Sequence, residues 1–206
     1  MEKIKVLVAD DHAIVRMGLV SLFGRAADIE VVGEAKSGTE TVTKALKLSP
    51  DVIILDLMMP KMDGISATAE LRARLPAAKI LILTSFGTSE ELASAFDAGA
   101  HGAVLKSIPN SELVAAVRKI HAGKRVVSPE IDHMLANDPP VQDLSQRQYE
   151  ILESITRGLT NNQIALQYDI SPESVKTHIE KLFENIGASN RSEATAIAMR
   201  KHLLKL

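Results

Sequence analysis

The sequence predicts a doubly wound parallel α/β domain followed by a small all-α domain of four helices. Three observations predict it. Up to about residue 125, short runs rich in Val, Ile and Leu alternate with amphipathic helical stretches. Around residues 126–143, prolines break that alternation. Past Leu144 no strand-like run returns, and only helical spacing follows.

The runs are Ile4–Ala9, Ile29–Gly33, Val52–Leu55, Lys79–Thr84 and Ala103–Leu105. They are almost unbroken in apolar character, as parallel strands covered on both faces must be. Helices are predicted between them at about 14–23, 39–48, 65–74, 89–98 and 111–121. Ser37 with Glu40 and Thr88 with Glu91 have capping-box spacing, which marks two of the helix starts. Five β/α units in succession call for an open sheet with right-handed crossovers. Ser128-Pro129 and Asp138-Pro139-Pro140 then punctuate the chain, because proline cannot continue a helix. The predicted organisation is a domain over 1–125, a linker over 126–143 holding a short helix at Ile131–Ala136, and a second domain over 144–206. The helices of that second domain are expected at 146–157, 161–167, 172–186 and 191–204. Their start signals are Ser145 with Gln148, Thr160 with Gln163, Ser171 before Pro172, and Asn190 with Glu193.

Composition narrows the function. Of 206 residues, 46% are apolar and 24% charged, the balance of a globular protein rather than a disordered one. Aromatics are 3% and Trp is absent, so the cores must be aliphatic. The absence of Cys excludes disulfides, thiolate nucleophiles and Cys-based zinc sites. No basic leader opens the chain and no apolar run approaches the ~20 residues of a membrane span, so a cytoplasmic protein away from membranes is expected. Net charge is −2, and residues 144–206 carry eight basic against seven acidic side chains. That near balance limits non-specific DNA affinity, which comes from neutralising phosphates. No glycine-rich phosphate loop is present, so a nucleotide enzyme is disfavoured.

The strand ends carry the chemistry. Ligands of open α/β sheets bind outside the carboxyl ends of the strands. Asp10 and Asp11 follow the first run, Asp56 the third and Lys106 the fifth, while Thr84 closes the fourth. Singly, each is ordinary: an Asp at a strand end is a turn residue, a Lys a solvated charge, a Thr a good strand former. Together, three carboxylates in one crevice need a cation, and oxygen-only ligands suit Mg2+. A metal-held carboxylate can attack a phosphoryl group, with an amine and a hydroxyl stabilising the charge that develops. Asp63-Gly64 is read as a turn and helix start, outside that chemistry.

The segments Val8-Ala9-Asp10-Asp11-His12, Leu55-Asp56-Leu57-Met58-Met59-Pro60-Lys61-Met62-Asp63-Gly64, Leu83-Thr84-Ser85 and Ala98-Gly99-Ala100-His101-Gly102-Ala103-Val104-Leu105-Lys106 resemble the receiver domain of two-component response regulators. The resemblance implies a flavodoxin-like (βα)5 fold. It implies Asp56 as phosphoacceptor, supplied by a sensor histidine kinase, and Mg2+ held by Asp10, Asp11, Asp56 and the Met58 carbonyl. It implies that Lys106 binds a phosphoryl oxygen and that Thr84 is the switch hydroxyl. One position departs. Such receivers usually carry Tyr or Phe three residues before the lysine, a ring that changes its burial as the threonine hydroxyl moves toward the phosphoryl group. Here the residue is Ala103. Phe86 is the candidate to take the ring's place, with packing or an interface as its plainer role.

The segments Leu144–Leu152, Gly158–Ala165, Ile170–Ile179 and Lys181–Gly187 are similar to LuxR-type helix-turn-helix domains, so the whole chain resembles the NarL/FixJ family. Asn161–Gln167 is then the supporting helix, Tyr168–Ser171 the turn and Pro172–Ile186 the recognition helix. Val175, Ile179, Leu182 and Ile186 share a face and are assigned to the core. Lys176 and Thr177 are assigned to base or phosphate contact. Lys181, Thr160 and the first amides of the supporting helix are assigned to the DNA backbone. His178 is read as either a phosphate contact or a packed residue. Glu180, Glu184 and Asn185 depart from a family that favours basic or small polar residues there. The expectation is weak, salt-sensitive binding to double-stranded DNA by a homodimer formed on phosphorylation. Ala194, Ile197, Ala198 and Leu204 are the candidate dimer face, unless they only close the domain core. The alternative is a phosphorylation-dependent protein-interaction module whose DNA binding is weakened or lost.

Overall fold

The computed structural model describes residues 3–85, 87–137, 141, 144–201 and 203–204. Phe86 and the Asp138-Pro139-Pro140 stretch lie outside them. The chain divides into two compact units, one up to residue 139 and one from residue 140.

In the first unit, strands β1 (Ile4–Ala9), β2 (Ile29–Ala35), β3 (Val52–Leu55), β4 (Lys79–Thr84), β5 (Gly102–Leu105) and β6 (Val126–Val127) form one sheet. Their order is β2-β1-β3-β4-β5-β6, and all pairs are parallel. The strand order reverses at β1, so the crevice falls between the ends of β1 and β3. Period-two alternation sorts the strand side chains into two layers. Leu7, Ile53, Leu55, Ile80, Ile82 and Ala103 face α2 (Gly38–Leu48), α3 (Gly64–Arg74), α4 (Ser89–Asp97) and α6 (Pro129–Asn137). Val6, Val8, Ile54, Leu81, Leu83 and Val104 face α1 (Ala13–Gly24) and α5 (Asn110–His121). The helix starts work as read: Thr88 and Glu91 form a complete capping box on α4. On α2, Ser37 accepts from the Glu40 amide, while the Glu40 carboxylate reaches back to the Lys36 amide.

Two boundaries of the first unit differ most from expectation. Gly33, read as a stop, lies inside β2, just past a register shift opposite Val6 and Leu7. Of the linker assigned to 126–143, residues 126–137 are folded onto the first unit. Val126 and Val127 pair with Gly102 and Ala103 as a sixth strand, and α6 packs on α4 and β5. A two-residue strand followed by Ser128-Pro129 reads as a break, yet Pro129 is the first residue of a helix, where its missing N–H costs nothing.

The second unit holds α7 (Gln146–Thr156), α8 (Asn161–Tyr168), α9 (Pro172–Ile186) and α10 (Arg191–Arg200). Its core joins Ile151, Leu152, Ile164, Val175, Ile179, Leu182 and Ile186. Full capping boxes start α7 and α8, and Ser171 and Asn190 cap α9 and α10. Helix α10 stops at Arg200 rather than 204. Ala194, Ile197 and Ala198 are buried in the same core, and Leu204 packs on it. The stripe considered as a dimer face therefore closes the domain.

Candidate functional site

Four loops at the carboxyl edge of the sheet converge. Asp10 follows β1 and Asp56 follows β3, and both are almost wholly buried, at 1% and 3% exposure. Lys106 follows β5, and its Nζ lies 2.6 Å from Asp10 Oδ2 and 2.6 Å from Asp56 Oδ2. Thr84, buried at the end of β4, pairs in register with Leu105, and its carbonyl accepts from the Lys106 amide at 2.7 Å. Asp11 is more open, as a metal ligand that also meets water would be. The Met58 amide donates to Asp56 Oδ1 at 3.4 Å, while the Met58 side chain points to solvent.

The electrostatics follow from burial. Desolvation raises the Asp56 carboxyl above the ordinary aspartate value, against the opposing pull of Lys106. Burial also pulls the Lys106 ammonium down, but the hydrogen bonds and charges of Asp10 and Asp56 outweigh it and leave the ammonium raised. One lysine thus bridges two buried carboxylates, and negative charge is left over. Asp10 Oδ2 meets no donor besides the Lys106 ammonium. One ligand atom each from Asp10, Asp11, His12 and Asp56 lies within 4.8 Å of the others. A buried carboxylate oxygen held by one lysine alone, in a mostly oxygen donor set, fits a hard divalent cation such as Mg2+.

Three supporting roles were not read from the sequence. His12 donates its amide to Asp10 Oδ1, and its Nδ1 lies 2.7 Å from Asp11 Oδ1. Its place directly after the acidic pair was the available signal. The Arg16 guanidinium donates to the carbonyls of Asp10 (2.8 Å) and Asp11 (3.1 Å), clamping the acidic loop. Nothing in the local pattern announces that reach. Asp63 caps α3 as expected, but Gly64 does more than start it. A Cβ there would stand 2.3 Å from the Asp56 carbonyl oxygen, so only glycine lets α3 abut the Asp56 loop.

In the second unit, α8 ends at Tyr168, Asp169 turns the chain in the left-handed region (φ 51°), and Ser171 starts α9. Val175, Ile179, Leu182 and Ile186 are buried; Lys176, Thr177, Glu180, Lys181 and Glu184 are exposed, and His178 is half-buried. Lys176 Nζ lies 4.0 Å from Glu180, and the Thr177 hydroxyl donates back to the Glu173 carbonyl. Exposed Thr160 spends its hydroxyl on the α8 capping box. The Arg191 guanidinium, which sequence reading left without a role, donates to the Leu159 carbonyl and ties α10 to the start of α8. The Tyr168 hydroxyl donates to the Glu150 carbonyl and joins α8 to α7.

A doubly wound sheet with this acidic crevice, joined to a helix-turn-helix, defines a response regulator. Residues 6–118 match the response regulator receiver domain, and residues 142–198 match bacterial regulatory proteins of the luxR family. The chain belongs to the two-component response regulators with a LuxR-type DNA-binding domain, a family of transcription regulators and not of enzymes. It is similar to the response regulator protein VraR of Staphylococcus epidermidis and of Staphylococcus aureus. Both are 38% identical over 98% of this chain and 99% of theirs. Among solved structures, it is similar to the response regulator ChrA of a heme-sensing two-component system, at 37% identity, with 99% of this chain and 100% of that one covered (TM-score 0.59). RcsB of Salmonella typhimurium shares the fold at 24% identity, over 96% of this chain and 100% of its own, with a TM-score of 0.80. No helix among the described residues is long and apolar enough to cross a membrane.

Proposed function

We propose that Asp56 takes a phosphoryl group from a partner histidine kinase, and that phospho-Asp56 promotes dimerisation and sequence-specific DNA binding in the cytoplasm. The observation that carries the proposal is the buried Asp56–Lys106–Asp10 cluster at the β1/β3 crevice. Asp10, Asp11, Asp56 and the Met58 carbonyl would hold Mg2+, with His12 beside them. The ion, when bound, neutralises charge on the phosphoryl oxygens. An Asp56 carboxylate oxygen forms the new bond to phosphorus. The bond from phosphorus to the donor nitrogen breaks, and its electron pair leaves with that nitrogen. Lys106 exchanges its contact with Asp56 for one with a phosphoryl oxygen, and the Thr84 hydroxyl closes on another. The proposed receiver runs from the N-terminus to about residue 137, and the DNA-binding domain from about 144 to 206.

Lys176, Thr177, Lys181, Thr160 and His178 are the proposed DNA contacts, the first three on the exposed face of α9. Incubation of the full chain with acetyl phosphate and magnesium should add one phosphoryl mass, lost in Asp56→Ala. Mobility shift with beryllofluoride should then show tighter DNA binding than without it. A second reading rests on the exposed Glu180 beside Lys176: the output domain docks on a protein instead. Selection from random DNA by the beryllofluoride-loaded chain, yielding no enriched sequence at low salt, would favour that reading.

A further inference from the structure

Ala103 offers the β4–β5 face only a methyl group where related receivers place a ring. The methyl is nonetheless shut away from solvent, at 1% exposure. Ala103 is buried in the layer that holds Leu92 and Ala95 of α4, and Ile131 of α6 enters that same layer at 0% exposure. Val127 pairs with Ala103, and the Ser128 amide donates to the Ala103 carbonyl at 3.1 Å. Met134 and Leu135 lean on the same cluster. From Asn137 the chain continues toward the DNA-binding unit.

We infer that α6 is a latch, seated by Ile131 in the layer shared by Ala103 and α4, and that phosphorylation of Asp56 releases it. This rests on the phosphoacceptor reading above. Thr84 ends β4 opposite Leu105, two residues past Ala103. Drawing the Thr84 hydroxyl toward a phosphoryl group pulls on the β4 end and on the α4 entry that follows it. Close-packed interiors do not absorb such a shift. A ring three residues before Lys106 could swing to refill the gap, but the Ala103 methyl cannot. The element left to give way is α6, and its seat is weak. Ile131 is its one fully buried side chain. The Ser128 hydroxyl precedes Pro129, as a cap would, yet it is buried without a hydrogen bond. Undocking returns that hydroxyl to water, so the docked state carries a built-in cost. Release lengthens the free chain between the units, and that length is what phosphorylation sets.

The test is amide exchange across residues 130–137 of the full chain, with and without magnesium and beryllofluoride, beside the mass gained from acetyl phosphate. Exchange there should quicken about tenfold or more with the mimic. Ile131→Ala should reach that rate without the mimic while β1 and β3 stay protected. If Ile131→Ala also loses β1 and β3, the mimic's effect on the wild-type chain decides. Unchanged α6 exchange in a chain that does gain the phosphoryl mass overturns the latch and leaves the Asp56 reading standing. Slow α6 exchange in a folded Ile131→Ala chain overturns it equally. A chain that gains no phosphoryl mass takes both readings down.

Discussion

Gly64→Ala tests whether the Asp56 loop is held by the start of α3. The added Cβ would stand 2.3 Å from the Asp56 carbonyl oxygen and 2.8 Å from the Leu57 Cα, where ordinary contact begins at 3.4 Å. Both obstacles are backbone, so no side chain can rotate away. The loop must retreat by about 1 Å, and a displacement of that size at a reacting group costs ~100-fold in rate. Overpacking of this kind also costs about 1–3 kcal/mol of stability. The control is Gly18→Ala inside α1, where a Cβ meets nothing within 4 Å. That change should stabilise by about 0.5–1 kcal/mol. The assays are the initial rate of phosphorylation by acetyl phosphate, read by intact mass, and thermal unfolding of the apo chain. If Gly64→Ala phosphorylates at the wild-type rate and unfolds like Gly18→Ala, the close packing of α3 on the Asp56 loop is not what aims the carboxylate.

Other changes probe charge. Lys106→Met strands two buried carboxylates and should cost about 3–5 kcal/mol near neutral pH in chemical denaturation. The loss should shrink as pH falls and the Asp56 carboxyl takes up its proton. Asp56 already has a folded-state value above its unfolded one, so its favourable contribution exists at low pH and disappears as pH rises through the raised value. A penalty that is flat with pH would count against this. His101 behaves oppositely. Burial first, then Lys79 and Arg72, lower its value, while its Nδ1 accepts from the Ile80 amide. The unfolded chain therefore binds the extra proton, and stability falls as pH drops below about 6.5. His101→Asn, whose Oδ1 can take over as acceptor, should flatten that limb of a pH–stability curve. On α9, Glu180→Gln should tighten DNA binding several-fold by freeing Lys176 and removing a charge that repels phosphate. Lys181→Ala should reduce the slope of log affinity against log salt by about 0.9. An unchanged slope would place Lys181 away from the backbone.

The strands and helices of both units were legible because each has its own local signal. Nearly unbroken apolar runs announced β1, β3 and β4, and Thr88, Ser145 and Thr160 announced helix starts that the capping boxes bear out. The grouping of Asp10, Asp56 and Lys106 was legible because strand ends share an edge. What escaped depends on distance in three dimensions. Two valines before Ser128-Pro129 carry too little pattern to declare a strand, and only the open edge of β5 makes them one. The role of Arg16 depends on a side chain reaching back six residues to a carbonyl. For Gly64 the deciding neighbour is the Asp56 backbone, which spacing along α3 cannot reveal. The α10 stripe shows the same limit: an apolar face reads alike whether it meets its own domain or a second copy.

The sixth strand bears on where this protein can be cut. A fragment ending at residue 125, where the alternating pattern stops, would leave the amide and carbonyl groups of Gly102 and Ala103 as an unprotected border. It would also strip Ile131 from the layer beneath. Such a piece should be prone to self-association through that border. One ending near 137 keeps the border sealed, and a ribosome making the chain cannot complete this sheet until it has passed Val127.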